Sequence, residues 1–163
     1  MNFASDNWAG VSPRVAAALT EAAAGLAPAY GADDLTTRAT AALRDLFETD
    51  LAVYFVATGT AANALSLAAT SGPGGIGFCH SDAHIANDEG GAPAFLGRGL
   101  TLVTIPGASG KITAQALTAS LAHYPQGSYQ RGTPRVVSLS QVTEAGTVYT
   151  PEEIAEIGYA AHG

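Results

Sequence analysis

The chain has 163 residues, 47% of them hydrophobic and 13% charged, with a formal net charge of -7. That balance describes a folded α/β-sized unit with a sizeable core, and the negative charge argues against nucleic acid and acidic membranes as partners. The one cysteine, Cys79, excludes an internal disulfide and suits a reducing compartment, read here as the cytoplasm, while no signal peptide and no run of roughly twenty apolar residues is found. In chain order, Ser12 and Pro13 predict a helix start, with Val15, Ala18, Leu19 and Ala22 as its apolar side. After a Gly/Pro-flanked loop carrying Tyr30 and Gly31, Asp33 and Asp34 cap a second helix in which Leu35, Ala39, Ala42, Leu43, Leu46 and Phe47 recur at helical spacing. Residues 51–57 are apolar, β-branched or aromatic almost without a break, the pattern of a strand buried on both faces. From Ala61 small residues and leucines repeat every three to four positions, which predicts a helix. Residues 74–79, 100–105 and 135–140 predict further strands; Thr113 caps a helix with Leu117 and Leu121 inward, and Thr150 with Glu153 forms a capping box for the last one. Alternating strands and helices predict an α/β fold, a mainly parallel sheet flanked by helices, with residues 1–163 as one unit.

The junction at Thr58, Gly59 and Thr60 is where a strand pattern gives way to a helix pattern. In a parallel sheet such a turn lies at the carboxyl end of a strand, where ligands bind. Gly59 permits a backbone conformation closed to other residues and a close approach of ligand, and Thr60 brings a hydroxyl beside free N–H groups at the positive end of the helix dipole. That is an anion site suited to phosphate; the plainer reading is a threonine-capped helix start.

Several stretches, in this order, resemble a known family: Ser5-Asp6-Asn7; Tyr30-Gly31 with Asp33; residues 57–63 (Ala-Thr-Gly-Thr-Ala-Ala-Asn); residues 84–91, from His84; and residues 138–148, which include Thr143 and Glu144. Together they resemble the low-specificity L-threonine aldolases, β-eliminating lyases with the aspartate-aminotransferase type of pyridoxal-phosphate fold. The resemblance covers nearly the whole chain and implies the N-terminal portion of the fold type I large domain. It implies that Thr58, Gly59 and Thr60 hold the phosphate of pyridoxal 5'-phosphate and that His84 lies flat against the pyridine ring. It further implies that Ser5 helps bind the carboxylate of an amino-acid substrate, and that Tyr30 reaches a neighbouring subunit's site, hence a homo-oligomer. Retro-aldol cleavage also needs a base for the substrate β-hydroxyl. Where many relatives carry a histidine this chain has Thr143 and Glu144, so Thr143 is placed at the substrate while Glu144, a water, or His84 alone takes the proton.

The chain contains one lysine, Lys111, in a polar Gly-Ala-Ser-Gly-Lys turn read as a solvated loop. A pyridoxal enzyme needs a lysine to bind the cofactor and an acidic partner for the pyridine nitrogen. The resemblance puts both beyond Gly163, so the chain reads as the N-terminal part of a longer enzyme. Two functions follow: cleavage of L-threonine or L-allo-threonine to glycine and acetaldehyde by the complete enzyme, or a non-catalytic α/β fragment or interaction subunit that keeps only the phosphate cradle. Other residues have plain readings. His80 and His84, with Asp82, Asp88 and Glu89 nearby, lack the periodicity and further ligands of a metal site, so no metal is assigned. His123 and His162 read as solvated groups near helix ends, and Cys79 as a small core residue.

Overall fold

The computed structural model describes residues 8–125, 127–128 and 130–163. The chain divides into two compact units, Met1–Phe55 and Val56–Gly163.

The first unit carries two helices, both begun by the residues that the sequence points to. In α1 (Pro13–Ala22) the Ser12 hydroxyl accepts from the Val15 N–H at 3.4 Å, and Pro13 occupies the first turn. In α2 (Asp34–Phe47) the Asp33 carboxylate accepts from the Thr36 hydroxyl at 2.7 Å and its N–H at 2.8 Å. Those bonds, the hydroxyl's first, hold the Asp33 carboxyl below its usual range. Neither helix has a buried residue: Val15, Leu19, Leu35, Leu46 and Phe47 are all exposed. The periodicity fixes which side is apolar, but it does not by itself bury that side.

One expected strand does not form. Residues 51–57 are irregular, and Tyr54, Phe55 and Val56 stand exposed. A strand exists only as part of a ladder, and residues 51–57 pair with no strand of the described sheet; the one hydrogen bond to this stretch among the described residues is from the Arg44 side chain to the Leu51 carbonyl, at 3.2 Å.

The second unit is built on a parallel sheet of three strands in the order β2-β1-β3: β1 (Gly75–His80), β2 (Thr101–Ile105) and β3 (Thr133–Val137), the last beginning and ending earlier than the sequence predicts. The central strand β1 is buried along its whole length. Its register with β2 runs from Ile76↔Thr101 to His80↔Ile105, and a bulge interrupts its pairing with β3 between Ile76 and Gly77. Alternate side chains of β1 enter opposite faces. Ile76 and Phe78 pack with Ile105, Ile112, Leu117, Tyr149 and Ile157, a core shared with α6 (Ala114–Leu121) and α7 (Pro151–His162). Cys79 packs with Leu67, Ala83, Ile85 and Leu100 on the other face, under α3 (Gly59–Thr70). Gly77 is needed for this packing, because a Cβ there would lie 3.1 Å from Leu102 Cδ2 and 3.2 Å from Val136 Cγ1. Thr113 caps α6, and Thr150 with Glu153 completes both bonds of the capping box on α7, as the sequence predicts. Two short helices absent from the sequence reading, α4 (His84–Asn87) and α5 (Ala92–Leu96), lie between β1 and β2. With four and five residues they are too brief to show a periodicity.

Candidate active site

The start of α3 is exposed and open. Thr58, in extended conformation, is the N-cap: its hydroxyl accepts from the Ala61 N–H and its carbonyl from the Ala62 N–H, each at 3.1 Å. The capping hydroxyl is thus that of Thr58, which leaves the Thr60 hydroxyl without a hydrogen bond to any described residue. Gly59 does not use a left-handed backbone, contrary to the sequence reading; glycine matters here for room, since a Cβ would meet nothing within 4 Å. The N–H groups of Gly59 and Thr60 have no acceptor among the described residues. Free N–H groups, a free hydroxyl and the positive end of a 12-residue helix together suit a bound anion.

His84 begins α4 just beyond the carboxyl end of β1, and one carboxylate ties it to α3. Glu89, its side chain wholly buried, accepts through Oε1 from Asn63 Nδ2 at 2.6 Å, and the same oxygen lies 3.0 Å from His84 Nδ1. Asn63 is in the second turn of α3, so the ring and the open helix end share one anchor. The hydrogen bond to Glu89 is the main cause that lifts the His84 imidazole above its usual range; partial burial opposes it, and the charges of Glu89, Asp88 and Glu144 add to it. His84 remains about half exposed, at 47%, and so accessible to a ligand.

Glu144 is exposed and close enough for its charge to act on His84. Thr143 beside it is buried, its hydroxyl 2.8 Å from that of Thr147 and also bonded to the Thr147 N–H and the Ser109 carbonyl. These bonds close the turn that presents Glu144. The turn fits against Gly110, whose φ of +76° and lack of Cβ are both required: a Cβ would sit 2.9 Å from Thr143 Oγ1. Tyr30 lies in the first unit, fully exposed, with φ of 63°. Ser5, and Asp6 with it, lie outside the described residues.

Lys111 is not in a solvated loop. Its ammonium bonds both oxygens of Glu153, at 2.8 and 3.1 Å, and lies 5.3 Å from the centre of the Tyr149 ring, with only 22% of the side chain exposed. The partner is 42 residues away in the chain, beyond the reach of any local pattern. His80 uses both ring nitrogens internally: Nδ1 accepts from the Asp82 N–H and Nε2 donates to the Gly107 carbonyl, each at 3.0 Å. Among the described residues no group of three or more His, Cys, Asp or Glu converges on a metal-sized site. Cys79 is fully buried, and burial pushes its thiol up to about 11. Sequence reasoning missed Glu89 and Asn63 as partners of His84. Both stand inside the stretches that carry the family resemblance, but their pairing across 26 residues has no local signal.

The family model for beta-eliminating lyases matches residues 2–163. The chain belongs to the beta-eliminating lyase family. It is 44% identical over 160 residues to a low specificity L-threonine aldolase from Pseudomonas aeruginosa, and 41% identical over 160 residues to another from a Pseudomonas species; in each case 95% of this chain is covered. It spans 44% of the length of both of these curated relatives. Among solved structures, that of Leishmania major threonine aldolase matches with a TM-score of 0.88 at 25% identity, over 95% of this chain and 44% of that one. The parallel sheet flanked by helices is therefore the α/β fold that the sequence predicts, and it is shared with that threonine aldolase structure.

Proposed function

We propose that the whole protein cleaves β-hydroxy-α-amino acids, L-threonine or L-allo-threonine among them, to glycine and an aldehyde with pyridoxal phosphate as cofactor. The observation that carries this reading is the open N-terminus of α3 joined through Glu89 to an accessible His84. The residues fit the cofactor: two free N–H groups and the Thr60 hydroxyl would hold the phosphate, Gly59 leaves space for it, and His84 would offer a flat ring to the pyridine. Bound there, the cofactor would supply an electron sink for the pair released as the α–β carbon bond breaks. His84 takes the substrate hydroxyl proton through Nε2; Glu144, exposed beside the site, is the other candidate. Thr143 serves the substrate side chiefly by holding the turn that carries Glu144. Ser5 binds the substrate carboxylate, and the exposed Tyr30 reaches the site of a second subunit in a cytoplasmic homo-oligomer. Residues 1–163 supply the N-terminal part of a large domain in the whole protein.

Lys111 sets a limit on this chain's share of the chemistry. Schiff-base chemistry needs an amine free to reach the cofactor carbonyl, and the Lys111 amine is engaged by both oxygens of Glu153 and lies against the Tyr149 ring. On this reading the covalent anchor of the cofactor is a residue other than Lys111. The same observation favours the second reading, a non-catalytic unit that retains the phosphate cradle. Purified intact protein with pyridoxal phosphate and L-threonine decides between them. Glycine and acetaldehyde formed in equal amounts support the aldolase; a colourless protein that leaves threonine intact at saturating cofactor rejects it.

A further inference from the structure

Glu89 is a buried ionisable side chain for which neither packing nor the proposed chemistry has yet given a reason. Its side chain is inaccessible to solvent, yet only Oε1 has donors, and Oε2 has no hydrogen-bond partner among the described residues. A carboxylate kept for stability alone is a poor choice at such a place, because burying an acceptor without a donor costs free energy. The local chain is nonetheless arranged to keep it there. Gly90 and Gly91 follow at φ of +56° and +82°, which turns the backbone sharply into α5, and the Glu89 carbonyl accepts from the Ala92 N–H at 2.9 Å. Asn63 fixes Oε1 from α3, so the oxygen that meets His84 cannot swing away.

We propose that Glu89 is a positioning residue that locks the neutral His84 imidazole in the Nδ1–H tautomer and so leaves Nε2 as the proton acceptor of the site. The chemistry is that of a donor paired with an acceptor-only oxygen. A carboxylate oxygen 3.0 Å from Nδ1 requires the proton on Nδ1, and a neutral ring with its proton there has its lone pair on Nε2. Asp88 and Glu144 also act on the ring by their charge, but among the described residues only Glu89 hydrogen-bonds it, at Nδ1, and no acceptor holds a proton on Nε2. The function of the tautomer rests on the aldolase reading above; the tautomer itself does not.

The test uses the intact protein labelled with ¹⁵N-histidine, without cofactor, with the His84 signals assigned by their loss in His84→Gln. The expected result is Nδ1–H in neutral His84, and a titration midpoint that falls in Glu89→Gln toward the ordinary imidazole value of about 6.5. Nε2–H in the wild-type protein overturns the proposal even if Glu89→Gln does not fold, and so does an unchanged midpoint in a folded Glu89→Gln. In the loaded enzyme, the acidic limb of the kcat/KM profile moves to lower pH in Glu89→Gln; a loss of amplitude with the limb unmoved marks a merely structural role and rejects the assignment. Failure of the aldolase reading shows separately, as absence of glycine release by the wild-type protein, and leaves the tautomer result standing.

Discussion

Replacing Thr60 by valine isolates the anion site from the helix cap beside it. The two threonines that flank Gly59 have different tasks: Thr58 caps α3 through its hydroxyl, whereas the Thr60 hydroxyl bonds no described residue. Valine keeps the β-branched shape, so Thr60→Val removes no internal hydrogen bond, and the fold should be unchanged within roughly 0.5 kcal/mol. What it removes is a hydrogen bond to a charged phosphate, which contributes about 1.5–3 kcal/mol. Cofactor affinity in the intact protein should therefore fall roughly 10- to 150-fold. The matched change Thr58→Val should show the opposite balance: the cap is lost at a cost of about 1 kcal/mol, seen as a drop of about 2–4 °C in melting temperature. Fluorescence titration with pyridoxal phosphate and thermal melts of both variants make the comparison. An unchanged dissociation constant in Thr60→Val sinks the phosphate assignment, and equal destabilisation by the two variants refutes the division of labour.

Other expectations follow from the same geometry. His84→Phe keeps a flat ring but no proton chemistry, so kcat of the intact protein should fall about 10²- to 10⁴-fold while cofactor still binds; steady-state kinetics beside Glu144→Gln decide which group is the base, and a larger loss in Glu144→Gln reassigns it. Borohydride reduction of the loaded protein followed by peptide mapping should find no stoichiometric label on Lys111, whose ammonium is held by Glu153; such a label there would falsify the structural reading of that ion pair. The pairing of His84 with Glu89 raises the folded-state pKa above the unfolded one, so its contribution to stability is full below the unfolded value of about 6.5 and is lost as pH rises through the raised folded value; denaturant unfolding across pH 5 to about 8 should show that slope in wild type and a flatter one in Glu89→Gln. Iodoacetamide should leave Cys79 unmodified in the native protein near neutral pH and modify it only on unfolding, because the thiol is fully buried and shifted to about 11.

What the sequence determined by itself is local. Ser12, Asp33, Thr113 and the Thr150–Glu153 box each act within one turn of their own helix, and all start the helices that they announce. The strands β1 and β2 and the inward Leu117 were legible for a similar reason, since period and composition mark the element, although of β2 only Ile105 is buried. The junction at 58–60 was legible as a threonine-capped helix start, and the structure makes Thr58 the capping residue, because a one-residue choice of helix start depends on backbone angles that side-chain type does not fix. The tertiary structure decided the rest. Residues 51–57 carry the composition of a buried strand, but a strand needs a neighbour's hydrogen bonds, and composition cannot supply one. Lys111 looked solvated until Glu153 and Tyr149, each far along the chain, closed around it. Glu89 looked like one more acidic residue after His84 until α3 brought Asn63 to it. These pairings are set by how elements pack, and side chains 26 to 42 residues apart leave no periodicity by which a sequence could declare them.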